Sequence, residues 1–303
     1  MKRILMFSLL LIPFYLIAQI EMEPSSEGIL FRESGRDVMF YQIKPKSING
    51  KYERSHYFHP LWGLDGQVIT EDFPQDHPHH RGIFWAWHQV LLKGKPVGDL
   101  WDLEGIKQEV REVEFISSPD GAGEFRSEVV WISGKMGHTL NDRELVREET
   151  KVIIHKRKVG YRQIDFEISL YALQPDVAIG GSDDEKGYGG FSVRAQLQGE
   201  VSFQGKQGSV LPENTAVKSP GWINLTSQVP PAMRRFGLAI IDHKNNPGYP
   251  QEWILRSSAS MQNAAFPGRN PVVLDIDKPL VLRYTLLVHN GHMKGRQIGR
   301  IKK

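Results

Sequence analysis

Apolar and polar residues alternate with a period of two along much of this chain, and this limits its possible folds more than any other feature. The clearest run spans residues 164–172, where isoleucine, phenylalanine, leucine or alanine occupies every even position. A second run spans residues 282–288. This period is typical of strands with one buried face. Five further segments are predicted as strands: Val110–Ile116, Phe125–Ile132, Val146–Lys156, Phe191–Leu197 and Gly237–Asp242.

Turn-forming residues separate these segments, as at residues 117–121 and 245–248. No segment has a strong helical period, and the best candidate is the short basic tail after Gly291. Serial strands without helices between them favour an antiparallel sandwich or barrel over a βαβ fold. Composition does not shift along the chain and no repeat is present. We therefore predict an all-β protein with one large antiparallel β-sandwich domain over residues 20–303.

Residues 1–19 predict a secretory signal peptide. Lys2 and Arg3 precede an apolar run, Leu5–Ala18. As a helix this run is about 21 Å long, which is too short for a hydrocarbon core of roughly 30 Å. We expect cleavage after Ala18 or Gln19 and a periplasmic or secreted protein. An uncleaved N-terminal anchor is the alternative.

The amino-acid composition excludes several kinds of site and partner. The chain has no cysteine, which excludes disulfides, a thiol nucleophile and thiolate metal ligands. Removing Lys2 and Arg3 lowers the formal charge from +3 to +1, and no basic run with interleaved aromatics is present. Nucleic acid is therefore not an expected partner. No second apolar run is long enough to predict a membrane span after signal cleavage.

Histidines and tryptophans concentrate between residues 56 and 88. The group comprises His56, His59, His77, His79, His80, His88, Trp62, Trp85 and Trp87. Imidazole transfers protons near neutral pH, Arg81 adds a fixed cation, and indole faces can stack on sugar rings. We expect His79 or His80 to act as general acid/base with Arg81 as an electrostatic clamp. The alternative for His56, His59, His88 and the tryptophans is an ordinary hydrogen-bonded or core role.

The same histidines permit a metal site as an alternative. Zinc or a similar ion would take His77, His79 or His80 as ligands. No HExxH spacing is present, and Asp76 is the one adjacent carboxylate. We therefore predict no cofactor, with a divalent metal at these histidines as the less favoured case.

Weaker candidates lie further along the chain. Residues 186–194 are glycine-rich but lack the strand-before, helix-after context of a phosphate loop, so nucleotide binding is not predicted. Tyr188, Asp242 and His289 each lie at a strand end or beside a turn. We expect at least two of the four residues His56, Tyr188, Asp242 and His289 to face one cavity with His79, His80 and Arg81. The alternative is that each makes its own local hydrogen bond.

Four motifs carry a resemblance to a known family. They are Asp76–Gly82, Trp85–Trp87, Tyr188–Gly190 and Val288–Gly291. Together they resemble exported bacterial proteins called PmoA-like, or methane oxygenase PmoA, over nearly all of the mature chain. The resemblance implies a galactose-mutarotase-like β-supersandwich in a polysaccharide-degrading bacterium. It does not imply a methane oxygenase subunit, because such subunits are embedded in membranes by several helices.

Epimerases of mutarotase-like fold pair a histidine acid with a carboxylate base, so the resemblance implies a carbohydrate substrate. Candidate carboxylates are Asp76, Glu149, Asp165, Glu167 and Asp242. We predict an exported carbohydrate-active enzyme whose reaction is epimerisation, elimination or hydrolysis. A glycan-binding protein without catalysis and a histidine-ligated metalloenzyme are the alternatives. Expected substrate-binding residues are His56, Asp76, His77, Trp85, Trp87, Tyr188, Asp242 and His289.

Overall fold

The computed structural model describes residues 19–134, 142–229, 232–259, 261–291 and 293–301. The predicted signal peptide, apart from Gln19, lies outside these ranges. In the described ranges, no helix has the length and apolar character needed to cross a membrane.

The described residues form 24 strands and one short helix. The first six strands are β1 (Ile20–Pro24), β2 (Gly28–Glu33), β3 (Arg36–Gln42), β4 (Lys46–Ile48), β5 (Lys51–Arg54) and β6 (Tyr57–Leu61). The next six are β7 (Ile83–Ala86), β8 (Gln89–Leu92), β9 (Lys95–Gly98), β10 (Ile106–Ser117), β11 (Gly123–Ser133) and β12 (Arg143–Ile154). Then come β13 (Tyr161–Ala172), β14 (Val177–Gly180), β15 (Gly190–Val193), β16 (Gln198–Gly205), β17 (Gly208–Ser209) and β18 (Val217–Lys218). The last are β19 (Trp222–Val229), β20 (Arg234–Asp242), β21 (Glu252–Ile254), β22 (Gln262–Ala265), β23 (Val272–Val273), β24 (Leu280–His289) and α1 (Gly295–Ile298).

Two nine-stranded antiparallel sheets dominate the fold. The first has the order β1-β2-β3-β6-β7-β15-β22-β21-β18, and the second has the order β10-β11-β12-β13-β24-β20-β19-β16-β17. A four-stranded sheet, β23-β14-β8-β9, and the β4-β5 hairpin complete the sheets. The prediction of an all-β, antiparallel sandwich is confirmed. Single-domain organisation over residues 20–303 stays a prediction.

The predicted strands exist, and most are longer than the sequence pattern indicates. β13 pairs with β12 on one side and β24 on the other, so Phe166 lies opposite both Val152 and Tyr284. The even positions of β13 are buried and most of its odd positions are partly exposed. This is the period-two pattern that predicts a half-buried strand.

Aromatic rings join the two large sheets. Phe166 of the second sheet packs edge-on against Phe58 and Phe191 of the first, at centroid distances of 5.7 and 5.1 Å. Phe191 also stacks on Tyr284, with centroids 4.6 Å apart. All four rings are buried, and such pairs stabilise a core beyond the area they bury. The core therefore lies between the two sheets.

β7 is the strand that separates this core from the histidine-rich region. Its odd-numbered residues point between the sheets, since Trp85 packs near Phe166. Its even-numbered face carries Phe84, which contacts the rings of His80 and Trp101. The candidate site is built on this second face, covered by the segment between β9 and β10.

Candidate functional site

Trp85 and Trp87 are core residues, which corrects the expectation that they line a sugar site. Both are almost wholly buried, with 1% and 0% of their surface exposed. The Nε1–H of Trp85 donates to Oε1 of Glu148 over 2.6 Å, and that of Trp87 donates to the Phe266 carbonyl over 2.8 Å. Since neither indole face is open, neither can stack on a sugar ring.

His56 also lies in the core, where Glu148 gathers four hydrogen bonds. Oε1 of Glu148 accepts from Nε2 of His56 at 2.6 Å, in addition to Trp85 and Thr150. Oε2 accepts from the Nε1–H of Trp131 at 2.9 Å. Burial acts to raise the pKa of Glu148, but His56 and the indoles outweigh it and lower the pKa. Because this carboxylate is sealed between the sheets, its role is to satisfy buried donors.

Glu148 was missed among the candidate carboxylates, where its neighbour Glu149 was named instead. Glu149 is exposed and pairs with Arg147. The signal that finds Glu148 is its place in the alternation, because it shares the inward face of β12 with Val146, Thr150 and Val152.

Arg81 is a structural residue, which corrects its assignment as an electrostatic clamp. It is 0% exposed, and its guanidinium lies 3.3 Å from the ring centroid of Phe73. Nη1 donates to the Pro78 carbonyl over 2.7 Å, and Nη2 donates to the carbonyl of Tyr52. Arg81 therefore ties together backbone segments, and no substrate can reach its charge.

Asp76 and His77 lie at the outer edge of the segment Asp76–Gly82, which we call the histidine loop. Arg194 forms a bidentate pair with Asp76 at 2.7 and 2.8 Å, and Nδ1 of His77 lies 2.6 Å from Oδ2 of the same carboxylate. Burial opposes ionisation of Asp76, but these hydrogen bonds hold its pKa well below the usual range. Asp76 is therefore a fixed anion that anchors the loop through Arg194.

His79 and His80 sit further inside the loop and are neutral at pH 7. Burial, together with neighbouring His77 and Arg54, lowers the pKa of His79 to about 4. Burial also lowers the pKa of His80 far below its ordinary value. His80 is 2% exposed, and its Nδ1 has no hydrogen-bond partner among the described residues. A neutral imidazole is a weak general acid at pH 7, so neither residue suits that part of its expected role, although each keeps one N–H for hydrogen bonding.

A second group of side chains packs around Trp101, and the sequence analysis did not predict that these residues lie together. The Trp101 ring lies 5.5 Å from His88, 5.6 Å from His80 and 4.9 Å from Tyr188, centroid to centroid. Tyr188 also packs edge-on against His88 at 4.8 Å. The structure thus joins the strand end after β7, the segment after β9 and the turn before β15.

His88 and Asp99 form the closest polar contact of this group. Nδ1 of His88 lies 2.8 Å from Oδ2 of Asp99. Oδ1 of Asp99 accepts the backbone N–H groups of Trp101 and Asp102 at 2.8 and 2.9 Å, which fixes the carboxylate. Nε2 of His88 is buried and has no partner among the described residues. Asp99 thus places the proton on Nδ1 and leaves a lone pair on Nε2.

Asp102 adds a second carboxylate at the open edge of the group. It is half exposed, with Oδ2 4.0 Å from Nδ1 of His88 and Oδ1 3.8 Å from Nε2 of His79. Burial raises the pKa of Asp102, and the charge of Asp99 raises it further. Burial also raises the pKa of the Tyr188 phenol. Two carboxylates, two imidazoles and a phenol therefore converge on one region.

Two or more of His56, Tyr188, Asp242 and His289 were expected near the histidine loop. Of these four, Tyr188 reaches it indirectly, because its ring packs against Trp101 and Trp101 packs against His80. His56, Asp242 and His289 have hydrogen bonds elsewhere. Asp242 accepts from the Asn246 side chain and the Gln251 backbone N–H, both at 2.9 Å. His289 lies 2.8 Å from Oδ1 of Asn224 and accepts the Gly291 N–H at 3.0 Å. Asp242 and His289 end strands of the second sheet, so these bonds hold the turns that follow β20 and β24.

The residues with metal-ligand geometry differ from those expected. Potential ligand atoms of His88, Asp99 and Asp102 lie within 4.8 Å of one another. Among the residues that the structure describes, the expected set of His77, His79 and His80 does not have this geometry. A divalent ion bound through Nδ1 of His88 would have to displace the proton of the His88–Asp99 hydrogen bond, so metal binding at this nitrogen and the hydrogen bond exclude each other.

The sequence around Asp99 and Asp102 gives only weak evidence that these residues belong to a site. They frame a short motif, Asp99-Leu100-Trp101-Asp102, that follows β9. The buried Arg54 donates from Nη2 to the Leu100 carbonyl over 2.6 Å, and its guanidinium lies over the ring of Phe84 on β7, so it links the motif to β7. That docking depends on residues far apart in the chain, so the spacing alone does not reveal it.

Comparison with known proteins places the chain in a family. No curated protein matches it. A family model matches residues 29–302, which include every residue of the group around Trp101 and nearly all of both large sheets. The chain belongs to a family of unknown function, DUF6807.

Proposed function

We propose that the protein is an enzyme that transfers protons on a carbohydrate, with His88 as the base. The observation that carries this proposal is the His88–Asp99 hydrogen bond of 2.8 Å together with the unpartnered, buried Nε2 of His88. An imidazole held by a carboxylate on one nitrogen and free on the other is the arrangement of a general base. Because Nε2 is closed to solvent while the His88 side chain is 15% exposed, a substrate must displace part of the cover over this ring to reach it. The substrate proton then removes the cost of about 1–3 kcal/mol of a buried ring nitrogen without a partner.

Each neighbouring side chain has a role in this proposal. Asp99 orients the ring and stabilises the imidazolium after His88 takes a substrate proton. Asp102 has a raised pKa and faces solvent, so it supplies or receives the second proton. Neutral His79 and the Tyr188 phenol supply hydrogen bonds to substrate hydroxyl groups.

A carbohydrate is the substrate class that suits these groups. Sugars carry many hydroxyl groups, and the site offers both acceptors (Asp102, His79) and a donor (Tyr188) at its edge. The resemblance of the histidine loop to PmoA-like proteins and the predicted export of the chain favour the same class. Epimerisation, elimination and hydrolysis each need a proton moved on a sugar carbon or oxygen, and one histidine can serve any of them.

The test is a sugar and oligosaccharide panel incubated with wild type and with His88→Gln. We expect wild type to convert at least one compound and His88→Gln to slow this conversion by about a hundredfold or more. The matched control is His155→Gln, since Nε2 of His155 lies 2.7 Å from Asp165 in a similar pair remote from Trp101. Equal rates for wild type and His88→Gln would remove His88 from the mechanism.

Calorimetry on the same panel tests the alternative of a glycan-binding protein. Such a protein would give a heat of binding without any product by mass spectrometry. Binding without turnover of any compound would contradict the enzymatic proposal, whereas turnover that depends on His88 supports it.

A further inference from the structure

A basic groove lies where the β2–β3 turn, the segment after β6 and the β12–β13 turn meet. Its cavity has a volume of about 1020 Å³. Five cationic side chains line it: Arg36, Arg157, Lys158, Arg162 and Arg234. None of these belongs to the group around Trp101, so the groove is a separate site from the proposed catalytic one.

The charges of this groove do not cancel. Arg162 pairs with buried Glu33 at 2.7 Å, and the lining residue Asp37 pairs with Arg32 at 2.6 Å. The remaining lining charges are the carboxylate of Asp65 and four cations, namely Arg36, Arg157, Lys158 and Arg234. Within the described part of the chain, none of these four has an ion pair, and all four are exposed. The groove therefore holds an uncompensated positive charge over a concave surface.

Two of the arginines are already oriented. Nη1 of Arg157 donates to the Leu64 carbonyl over 2.7 Å, and Nη1 of Arg234 lies 3.5 Å from the Asp65 carbonyl. Each guanidinium keeps further N–H donors for a ligand. Because the planar guanidinium fork matches a planar carboxylate, such arginines bind carboxylates in a bidentate way.

The rest of the lining suits a sugar chain. Half-buried Trp62 contributes an indole, and the Asp65 carboxylate and Ser34 hydroxyl can accept hydrogen bonds. The Asp65 carboxylate repels any anion, but it can accept hydrogen bonds from the hydroxyl groups that a uronate chain carries between its carboxylates, and a DNA phosphate backbone has no such hydroxyl groups. We infer that this groove binds an acidic oligosaccharide made of uronate residues.

The test uses calorimetry at low salt with tetragalacturonate and its fully methyl-esterified form, which differ in charge. We expect binding of the acid, and affinity at least about tenfold lower for the ester. The double variant Arg36→Ala/Arg234→Ala should lose at least about tenfold of the affinity as well. Its control is Lys206→Ala/Lys218→Ala, which removes the same charge from exposed lysines outside the groove.

Four results would overturn the inference. They are no binding of tetragalacturonate, equal affinity for the ester, an equal loss in the lysine control, and equal affinity for a sulfated oligosaccharide or a short single-stranded DNA. The last would show attraction by charge alone. Because the variants leave His88 and Asp99 intact, failure here does not bear on the catalytic proposal.

Discussion

The indole Nε1–H of Trp85 donates to Oε1 of Glu148 over 2.6 Å, and so links the first sheet to the second through a buried carboxylate. Trp131, on the same sheet as Glu148, donates to the other carboxylate oxygen. His56 completes the set and is itself 2.7 Å from the hydroxyl of Tyr41 through Nδ1. Trp85, which the sequence predicts at a sugar site, therefore links the two sheets instead.

Glu148→Ala should destabilise the fold strongly. The change leaves Trp85, Trp131 and His56 with buried donors and no acceptor, which costs on the order of 3–5 kcal/mol. Urea unfolding followed by tryptophan fluorescence measures the loss. Glu149→Ala, at the next and exposed position, is the control and should change the free energy of unfolding by less than about 0.5 kcal/mol. Similar losses in both variants would show that the network contributes little.

Stability should fall as the pH drops from about 6.5 towards about 4. Burial lowers the pKa of His59 and of His79 to about 4, and that of His80 further. In this window the unfolded chain binds protons that these folded-state imidazoles do not, so acid favours unfolding. The lowered pKa values of Asp76 and Glu148 add a loss at still lower pH, as carboxylates are protonated in the unfolded chain.

His80→Phe checks the histidine part of this pH effect. The phenyl ring keeps the packing against Phe84 and Trp101 but does not titrate. Unfolding midpoints in urea at about pH 7.5 and about pH 5 should differ less for this variant than for wild type. An unchanged difference would mean that His80 does not contribute to acid sensitivity.

Chelation separates proton transfer by His88 from metal catalysis. If His88 acts as a base held by its hydrogen bond to Asp99, no metal is needed for turnover. Protein that has been treated with a chelator, from which the chelator is then removed, should therefore keep its full turnover. Added Zn²⁺ should inhibit, since the ion competes for His88, Asp99 and Asp102. Loss of turnover after chelation, with recovery on adding one equivalent of metal, would identify a metalloenzyme instead.

The sequence pattern was sufficient for the fold but not for the site. Alternation at residues 164–172 and 282–288 predicts β13 and β24 because side-chain burial in a strand follows its period directly. The same period places Ile83 and Trp85 on one face of β7 and Phe84 on the other. It could not tell that the face with Trp85 and Trp87 is sealed by a second sheet, because this depends on which strands stack.

The candidate site was partly predicted for a similar reason. The density of histidines predicted a site in the loop before β7, whereas His88, the second residue after β7, was not among the expected catalytic or substrate-binding residues. Arg81 looked available because charged residues are usually exposed, whereas here Phe73 and two carbonyls compensate its burial. Asp99 and Asp102 depend on how the segment after β9 docks against β7, and no local pattern reports such a contact.

The most direct test of the catalytic proposal is the turnover of Asp99→Asn on the sugar that wild type converts. The amide can still accept the Trp101 and Asp102 N–H groups, but it would present a donor to Nδ1 of His88 and move the proton to Nε2. We expect kcat to fall by about 10²–10⁴ with an unchanged unfolding midpoint. The control is Asp275→Asn, because Asp275 caps the N–H groups of Asp277 and Lys278 in the same kind of turn without a histidine partner among the described residues. Wild-type turnover in Asp99→Asn would contradict the proposal that His88 acts as the base.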